Sequence, residues 1–161
     1  MLPKLTARLL GDWNNLFPKI VKPNSISYLG IGGSIEGGTT TFLGFSKNQG
    51  KPVFAVKTHR MPDAHKQVFG ERDALFYLHK SSDLLAMSVP RAVIYEQIGG
   101  TWLLVQSILE GRHMTARMTD RGPPDLEEAA ENFGIAGYWL AQMHLAAKYS
   151  SFVESQKVRQ D

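Results

Sequence analysis

Three short segments rich in β-branched and aromatic residues follow one another between residues 25 and 58, and they constrain the fold more than any other part of the sequence. A glycine-rich stretch at 30–38 separates the first segment from the second, and a Lys-Asn-Gln-Gly turn separates the second from the third. Short segments of this composition joined by turn residues are typical of antiparallel hairpins. The sequence therefore predicts a three-stranded antiparallel meander.

The remaining periodic segments predict helices and two more strands. Apolar residues at steps of three and four mark the helices, and Asp125 followed by Glu128 is a helix-capping pattern. In chain order, the predicted elements are a helix at 4–17, strands at 26–29, 39–45 and 52–58, a helix at 62–80, a loop at 81–88, strands at 91–97 and 102–109, an irregular segment at 111–124 and a helix from 125 to about 150. This order predicts an α+β fold, in which a five-stranded antiparallel sheet with a flanking helix precedes one long helix.

Composition excludes several classes of function. The net charge is +3 and no run of Lys or Arg forms a basic block, so we expect no nucleic-acid partner. The chain has no cysteine, which excludes disulfides and thiol chemistry, and its five histidines show no metal-ligand spacing. No stretch approaches 18 consecutive apolar residues, so we expect a soluble, cytoplasmic protein with no membrane partner.

The third strand segment ends in a lysine, and a charged residue at the end of an apolar run needs a physical reason. The glycines ahead of Lys57 leave backbone N–H groups open to a phosphate ligand, with Gly32, Gly33 and Ser34 at the tip of the loop. Glu71, on the inward face of the next predicted helix, is the candidate partner that would orient the lysine. The alternative interpretation is a surface lysine on an edge strand beside a flexible hairpin, with Glu71 a solvated residue of the helix.

Two other phosphate or nucleophile motifs come close and fail. The spacing from Gly32 to Thr39 matches a P-loop, but Gly38 stands where the lysine is required and a strand follows instead of a helix. The sequence from Gly32 to Glu36 lacks the last glycine of a nucleophile elbow. Neither a P-loop ATPase nor a serine hydrolase is therefore indicated.

Five segments together resemble the aminoglycoside-phosphotransferase-like kinases, the small-molecule branch of the protein-kinase fold. They are Phe54-Ala55-Val56-Lys57, Gly70-Glu71-Arg72, Val89-Pro90-Arg91, the run from Leu103 to Gly111 and Leu140-Ala141-Gln142-Met143-His144. The resemblance covers roughly residues 25–148 in the order and spacing of that family. The glycine loop departs from it, because Ile35 stands where a G-x-G-x-x-G spacing requires the third glycine.

The resemblance implies a nucleotide site for ATP. Lys57 would hold the phosphates, Glu71 would orient Lys57, and Gly32, Gly33 and Ser34 would cover the phosphates. Ala55, two residues before Lys57 on the same strand face, would leave room for adenine. In the hinge, the Ser107 carbonyl and the Leu109 N–H would bond the adenine edge, with Val105 and Gln106 at the back of the slot.

The resemblance also implies a domain division. Residues 1–24 would form an N-terminal helical extension, residues 25–111 a kinase-like N-lobe with its hinge, and residues 112–161 a linker and the first helix of a C-lobe.

The catalytic segments of that family do not occur in this sequence. Neither the His-Gly-Asp-x-x-x-x-Asn loop nor the later Asp-x-Asp is present, so no catalytic or metal-binding residue is assigned and Mg²⁺ is expected only with a C-lobe. We expect a fragment of a longer enzyme, a truncated gene product or a pseudokinase-like module. The alternative function is a non-catalytic nucleotide-binding or protein-interaction module. We expect either a homodimer through an exposed C-terminal helix or a helix that folds back on the sheet, and the acceptor substrate is not predicted.

Overall fold

A computed structural model describes residues 1–31, 38–47, 50–59, 65–111, 122 and 125–157, with side chains described as far as residue 147. The described residues form an α+β fold with a five-stranded antiparallel sheet. The elements in chain order are α1 (Leu2–Gly11), α2 (Trp13–Leu16), β1 (Ile26–Gly30), β2 (Thr39–Ser46), β3 (Pro52–His59), α3 (His65–Ser81), α4 (Asp83–Ser88), β4 (Ala92–Ile98), β5 (Thr101–Ser107) and α5 (Leu126–Lys157).

The sheet confirms the predicted meander and adds β5 next to β3. The strand order is β1-β2-β3-β5-β4, and the described neighbours pair antiparallel. β3 and β5 therefore lie inside the sheet, and four consecutive residues of each are buried: Val53 to Val56 and Leu103 to Gln106. A lysine at the end of β3 consequently belongs to an interior strand and not to an edge.

Chain contacts divide the molecule into two compact units. The first comprises Met1–Tyr77 and Pro90–Ile108, and the second comprises Leu78–Val89 and Leu109–Asp161. The first unit holds all five strands together with α1 and α2.

The core of the first unit lies between one face of the sheet and the N-terminal helices. Leu5, Leu9 and Trp13 are spaced by four residues and are almost fully buried, and Phe17 follows them into the same cluster. Phe17 stacks on Phe54 of β3 with ring centroids 5.6 Å apart. The N-terminal segment therefore supplies a substantial part of this core.

The predicted single helix at 4–17 is divided at Asp12 in the structure. Asp12 leaves the helical conformation at φ −123° and ψ 21°, and its carboxylate accepts a hydrogen bond from Asn15 Nδ2 at 2.6 Å. Gly11 immediately precedes the break, and glycine is disfavoured in the helical conformation. The apolar face nevertheless continues through the break, because Trp13 stays in the core and donates its indole N–H to the Ile20 carbonyl at 2.9 Å.

The prediction of a loop at 81–88 is wrong, since residues 83–88 form α4. The Ser82 side chain accepts the N–H of Leu85 at 3.2 Å, which caps the helix, and Asp83 places a negative charge in the first turn. Leu85 is fully buried. The sequence signal was the Ser-Asp-Leu-Leu pattern, in which a capping residue precedes two apolar residues.

The second unit contains α4 and the long helix α5. Asp125 accepts the N–H of Glu127 at 2.9 Å, so the predicted cap at Asp125 is confirmed. On α5, Ala129 and Asn132 are buried, and the indole of Trp139 donates to Ser88 Oγ at the end of α4 at 2.6 Å. Within the described part of the chain, no helix has the length and apolar character required to cross a bilayer.

Candidate nucleotide site

The face of the sheet opposite the N-terminal helices presents the side chains predicted to bind a nucleotide. Phe54 and Val56 of β3 belong to the core on the other face, so Ala55 and Lys57, which alternate with them along the strand, point away from that core. Directly paired residues of antiparallel strands share a face of the sheet. Ala55 and Lys57 can therefore be placed in two rows that run across several strands.

The first row consists of mostly small or aliphatic residues. Across the strands it reads Leu43, Ala55, Gln106 and Ala92, with Ala55 8% exposed. The second row reads Thr41, Lys57, Leu104 and Tyr95. Ala55 and Ala92 thus lie on the same face of the sheet as Lys57, in the row next to it.

Lys57 forms an ion pair with Glu71 of α3, and their side chains are 32% and 33% exposed. The helix directs Glu71 towards the sheet because Val68, three residues earlier, and Leu75, four residues later, are both buried. The predicted contact between Lys57 and Glu71, which are fourteen residues apart in the sequence, is therefore present in the structure.

Gln106 of β5 joins this ion pair. Its carboxamide nitrogen donates to Glu71 Oε1 at 2.6 Å, the same oxygen that pairs with Lys57. Gln106 is 3% exposed. The Glu71 carboxylate thus receives one donor from β3 and one from β5, and two adjacent strands hold it in place.

A stack of cationic and aromatic groups anchors α3 beside the site. The Arg72 guanidinium lies 4.2 Å from the ring centroid of Phe69 and 4.5 Å from that of Tyr95. Tyr95 in turn stacks on Trp102 with centroids 4.9 Å apart. Since Arg72 is adjacent to Glu71 in α3, these contacts restrict rotation of the helix that carries Glu71.

Ser107, which the family resemblance puts in a hinge, is the last residue of β5, so the strand predicted at 102–109 ends two residues early. Its N–H donates to the Arg91 carbonyl at 2.9 Å, and its hydroxyl accepts the Arg91 N–H at 2.8 Å. Pro90 precedes this pair and has no N–H to continue the ladder. The proposed role of the Ser107 carbonyl stays a prediction.

Of the remaining predicted site residues, the structure describes Leu109 but not the three residues of the glycine loop. Leu109 belongs to the second unit and its side chain is 44% exposed, and the role of its N–H stays a prediction. Gly32, Gly33 and Ser34 lie outside the described residues.

For Gln106, the sequence predicted the position but not the hydrogen bond that it makes. The resemblance put Gln106 at the back of the slot, but it did not predict a bond to Glu71. The available signal was a single carboxamide following the apolar residues Leu103, Leu104 and Val105 in β5, since a buried polar side chain requires a partner.

No metal cluster accompanies the ion pair in the described portion of the chain, where no three His, Asp or Glu residues come together.

Comparison with known proteins does not identify a family for this chain. No protein-family model matches the chain, and no curated protein matches it.

Proposed function

We propose that this chain is the ATP-binding lobe of a phosphotransferase that moves the γ-phosphoryl group of ATP to a hydroxyl of a small molecule. The observation that supports this most directly is the Lys57–Glu71 ion pair, next to the row of the sheet that contains Ala55 and Ala92. A kinase-like N-lobe combines the same parts, with a lysine on the third strand and a glutamate on the following helix.

The charge arrangement suits a polyphosphate. The Lys57 ammonium has three donors, and the carboxylate of Glu71 uses one oxygen for this contact. Glu71 is also bonded to Gln106, so its carboxylate is held in position while the Lys57 ammonium stays partly exposed. A lysine about one-third exposed is accessible to a phosphate group.

The base would occupy the first row. Ala55 and Ala92 carry only a methyl group each, and Leu43 supplies an apolar neighbour on β2. A purine ring needs a flat, mostly apolar slot with few polar groups at its edge. Lys57 lies in the adjacent row, on the side where the phosphates of a bound nucleotide would lie.

This proposal assigns nucleotide binding to the chain and assigns no catalytic base. Phosphoryl transfer also needs a group that orients the acceptor hydroxyl, and it needs ligands for Mg²⁺. The family's motifs for these two roles do not occur in this sequence.

Nucleotide titration tests the proposal. The dissociation constant of ATP is measured by calorimetry for the wild-type chain, for Lys57→Met and for Lys51→Met, a matched change at an exposed lysine before β3. Loss of a charge-assisted phosphate contact should weaken ATP binding by roughly ten- to a hundredfold in Lys57→Met. Lys51→Met should bind as the wild type does. Binding that is absent in the wild type, or equal in all three proteins, contradicts the proposal.

A second candidate function is a non-catalytic interaction module. Large apolar side chains on α5 are exposed, among them Phe133 at 58%, Ile135 at 61% and Leu140 at 46%. Exposed apolar surface of this extent is typical of a protein contact. A chain that self-associates and shows no response to nucleotide would favour this second function.

A further inference from the structure

We propose that the exposed apolar face of α5 pairs with the same face of a second copy of this chain, with the two helices antiparallel and a two-fold axis between Gly134 and Gly137. The inference concerns a helix of the second unit and does not depend on the proposed nucleotide site.

This face lies away from the contact that α5 makes within the chain. Ala129 and Asn132 are buried and Trp139 donates to Ser88 Oγ, so these residues mark the inward side of the helix. With 3.6 residues per turn, four exposed small residues follow one another along almost the opposite side. They are Ala130, Gly134, Gly137 and Ala141.

Large apolar side chains border these small residues on both sides. Exposed Leu126 and Phe133 lie along one border, and exposed Tyr138 and Leu145 lie along the other. No atom lies within 4 Å of a Cβ added at Gly134 or at Gly137, so the space between the borders is open. A second helix can therefore approach closely there, and the four large side chains would gain free energy on burial.

The order of residue types along this face is the same from either end. Reversal of the helix about a midpoint between residues 135 and 136 exchanges small residues with small ones and large apolar residues with large apolar ones. The exchanged pairs are Ala130 with Ala141, Gly134 with Gly137, Phe133 with Tyr138 and Leu126 with Leu145. A two-fold axis brings each residue of a face to its exchanged position in the other chain, so this face is its own complement.

The reversal also sets bulky rings against glycines. Phe133 of one helix comes to the level of Gly137 of the second copy, and Tyr138 comes to the level of Gly134 of the second copy, each on the same flank of the pair. Each ring would fill a space that the glycine leaves open. Rings that fill such spaces are the packing that two closely spaced helices require.

The charges of α5 favour the antiparallel orientation. Glu127 and Glu131 are exposed in the first turns, and the next charged residue along the helix is Lys148. An antiparallel pair brings Glu127 of one chain to the level of His144 of the other and within a turn or so of Lys148. A parallel pair would set each glutamate beside its own copy, which is unfavourable.

Single cysteines test the arrangement, because the chain has no cysteine of its own. Ala130→Cys and Ala141→Cys are oxidised in a glutathione buffer, each alone and as an equimolar mixture. The two positions face each other in the proposed pair, whereas each lies about 16 Å from its own copy along the axis, too far for a disulfide. The mixture should therefore give at least about ten times more disulfide-linked dimer than a mixture of Ala130→Cys with Gly50→Cys, an exposed position outside α5.

Gly137→Leu tests the fit by a second measurement. In the single chain the new side chain enters open space and replaces a poor helix former, so the free energy of unfolding should not fall. In the pair it would occupy the space of Phe133 of the second copy, so the dissociation constant of the dimer, measured by sedimentation equilibrium, should rise by about five- to a hundredfold. Gly70→Leu, the same change at an exposed glycine of α3, should leave that constant unchanged.

Three outcomes would overturn the inference. They are a disulfide of either single variant with itself, an unchanged dissociation constant in a folded Gly137→Leu, and a wild type that stays monomeric, which would show that this face has another occupant. The cross-linking result decides the question without Gly137→Leu should that variant fail to fold. ATP binding through Lys57 is measured separately and stands or falls on its own titration.

Discussion

At the scale of single residues, one carboxylate oxygen of Glu71 accepts hydrogen bonds from both Lys57 and Gln106. Lys57 and Glu71 were predicted as partners, because a terminal lysine and an inward glutamate are visible in local sequence patterns. The Gln106 contact was not predicted. It depends on the register between β3 and β5, which sets Gln106 opposite Ala55, and that pairing joins residues about fifty positions apart.

Position 44 in β2 is a glycine because the ring of Phe54 lies close to the backbone there. Gly44 pairs with Phe54, and a Cβ added at Gly44 would lie 2.2 Å from the ring of Phe54. Phe54 cannot move aside easily, since it is fully buried between Trp13, Phe17 and Tyr28.

Gly44→Ala should therefore lower the free energy of unfolding by about 1–3 kcal/mol through overpacking. Gly70→Ala is the matched control, because no atom lies within 4 Å of the added Cβ and the residue is inside α3. That change should raise the free energy of unfolding by up to about 1 kcal/mol. Urea denaturation of both variants measures the two effects, and a neutral Gly44→Ala would contradict the packing shown around Phe54.

At the scale of elements, the two long helices were predicted from the spacing of apolar residues and the strands from their β-branched and aromatic composition, and the main errors fall at helix boundaries. Asp12 interrupts the first helix and Ser82 starts a helix in a segment predicted as loop. The spacing of apolar residues does not mark these two boundaries. Each depends on one or two residues: Gly11 and Asp12 end α1, and the side chain of Ser82 caps α4.

Burial of Tyr28, where β1 meets α1, should make the free energy of unfolding sensitive to alkaline pH. The hydroxyls of Thr6 and Tyr28 lie 3.0 Å apart, and burial raises the pKa of Tyr28 above its usual value of 10.0 although the bond to Thr6 opposes this. A raised pKa in the folded state means that the folded chain holds the proton more tightly than the unfolded chain. This contribution is complete below pH 10 and is lost as the pH rises through the folded value.

Urea denaturation between pH 8 and pH 11.5 tests this contribution. The free energy of unfolding of the wild type should fall more steeply above pH 10 than that of Tyr28→Phe, which has no ionisable group at this position. Lysines titrate in both proteins, so their contribution cancels when the pH dependence of the wild type is compared with that of Tyr28→Phe. Parallel curves would mean that Tyr28 is as well solvated in the folded state as in the unfolded state.

At the scale of the whole molecule, the two units differ in how well their apolar surface is covered. The first unit buries an extended cluster that begins at Leu5 and includes Phe54 and Val105. On α5 of the second unit, Leu126 is 84% exposed, Tyr138 60% and Leu145 52%. The sequence predicted an exposed helix here, and the described residues agree that its apolar side chains reach the surface.

This exposure predicts self-association. Light scattering coupled to size exclusion should show a mass above that of the monomer as concentration rises, since apolar surface gains free energy on burial. Leu140→Gln combined with Phe133→Gln should shift the equilibrium towards the monomer, whereas the same changes at exposed Val21 and Met87 should have little effect. A monodisperse monomer at high concentration would be inconsistent with this prediction.

The three tryptophans provide independent optical reporters. Trp13 lies in the core under the sheet with its indole bonded to Ile20, Trp102 stacks on Tyr95 beside α3, and Trp139 donates to Ser88 in the second unit. Their differing polarity and ring neighbours should give each a distinct emission. Chains that retain one indole at a time would therefore reveal whether both units melt in one transition or separately.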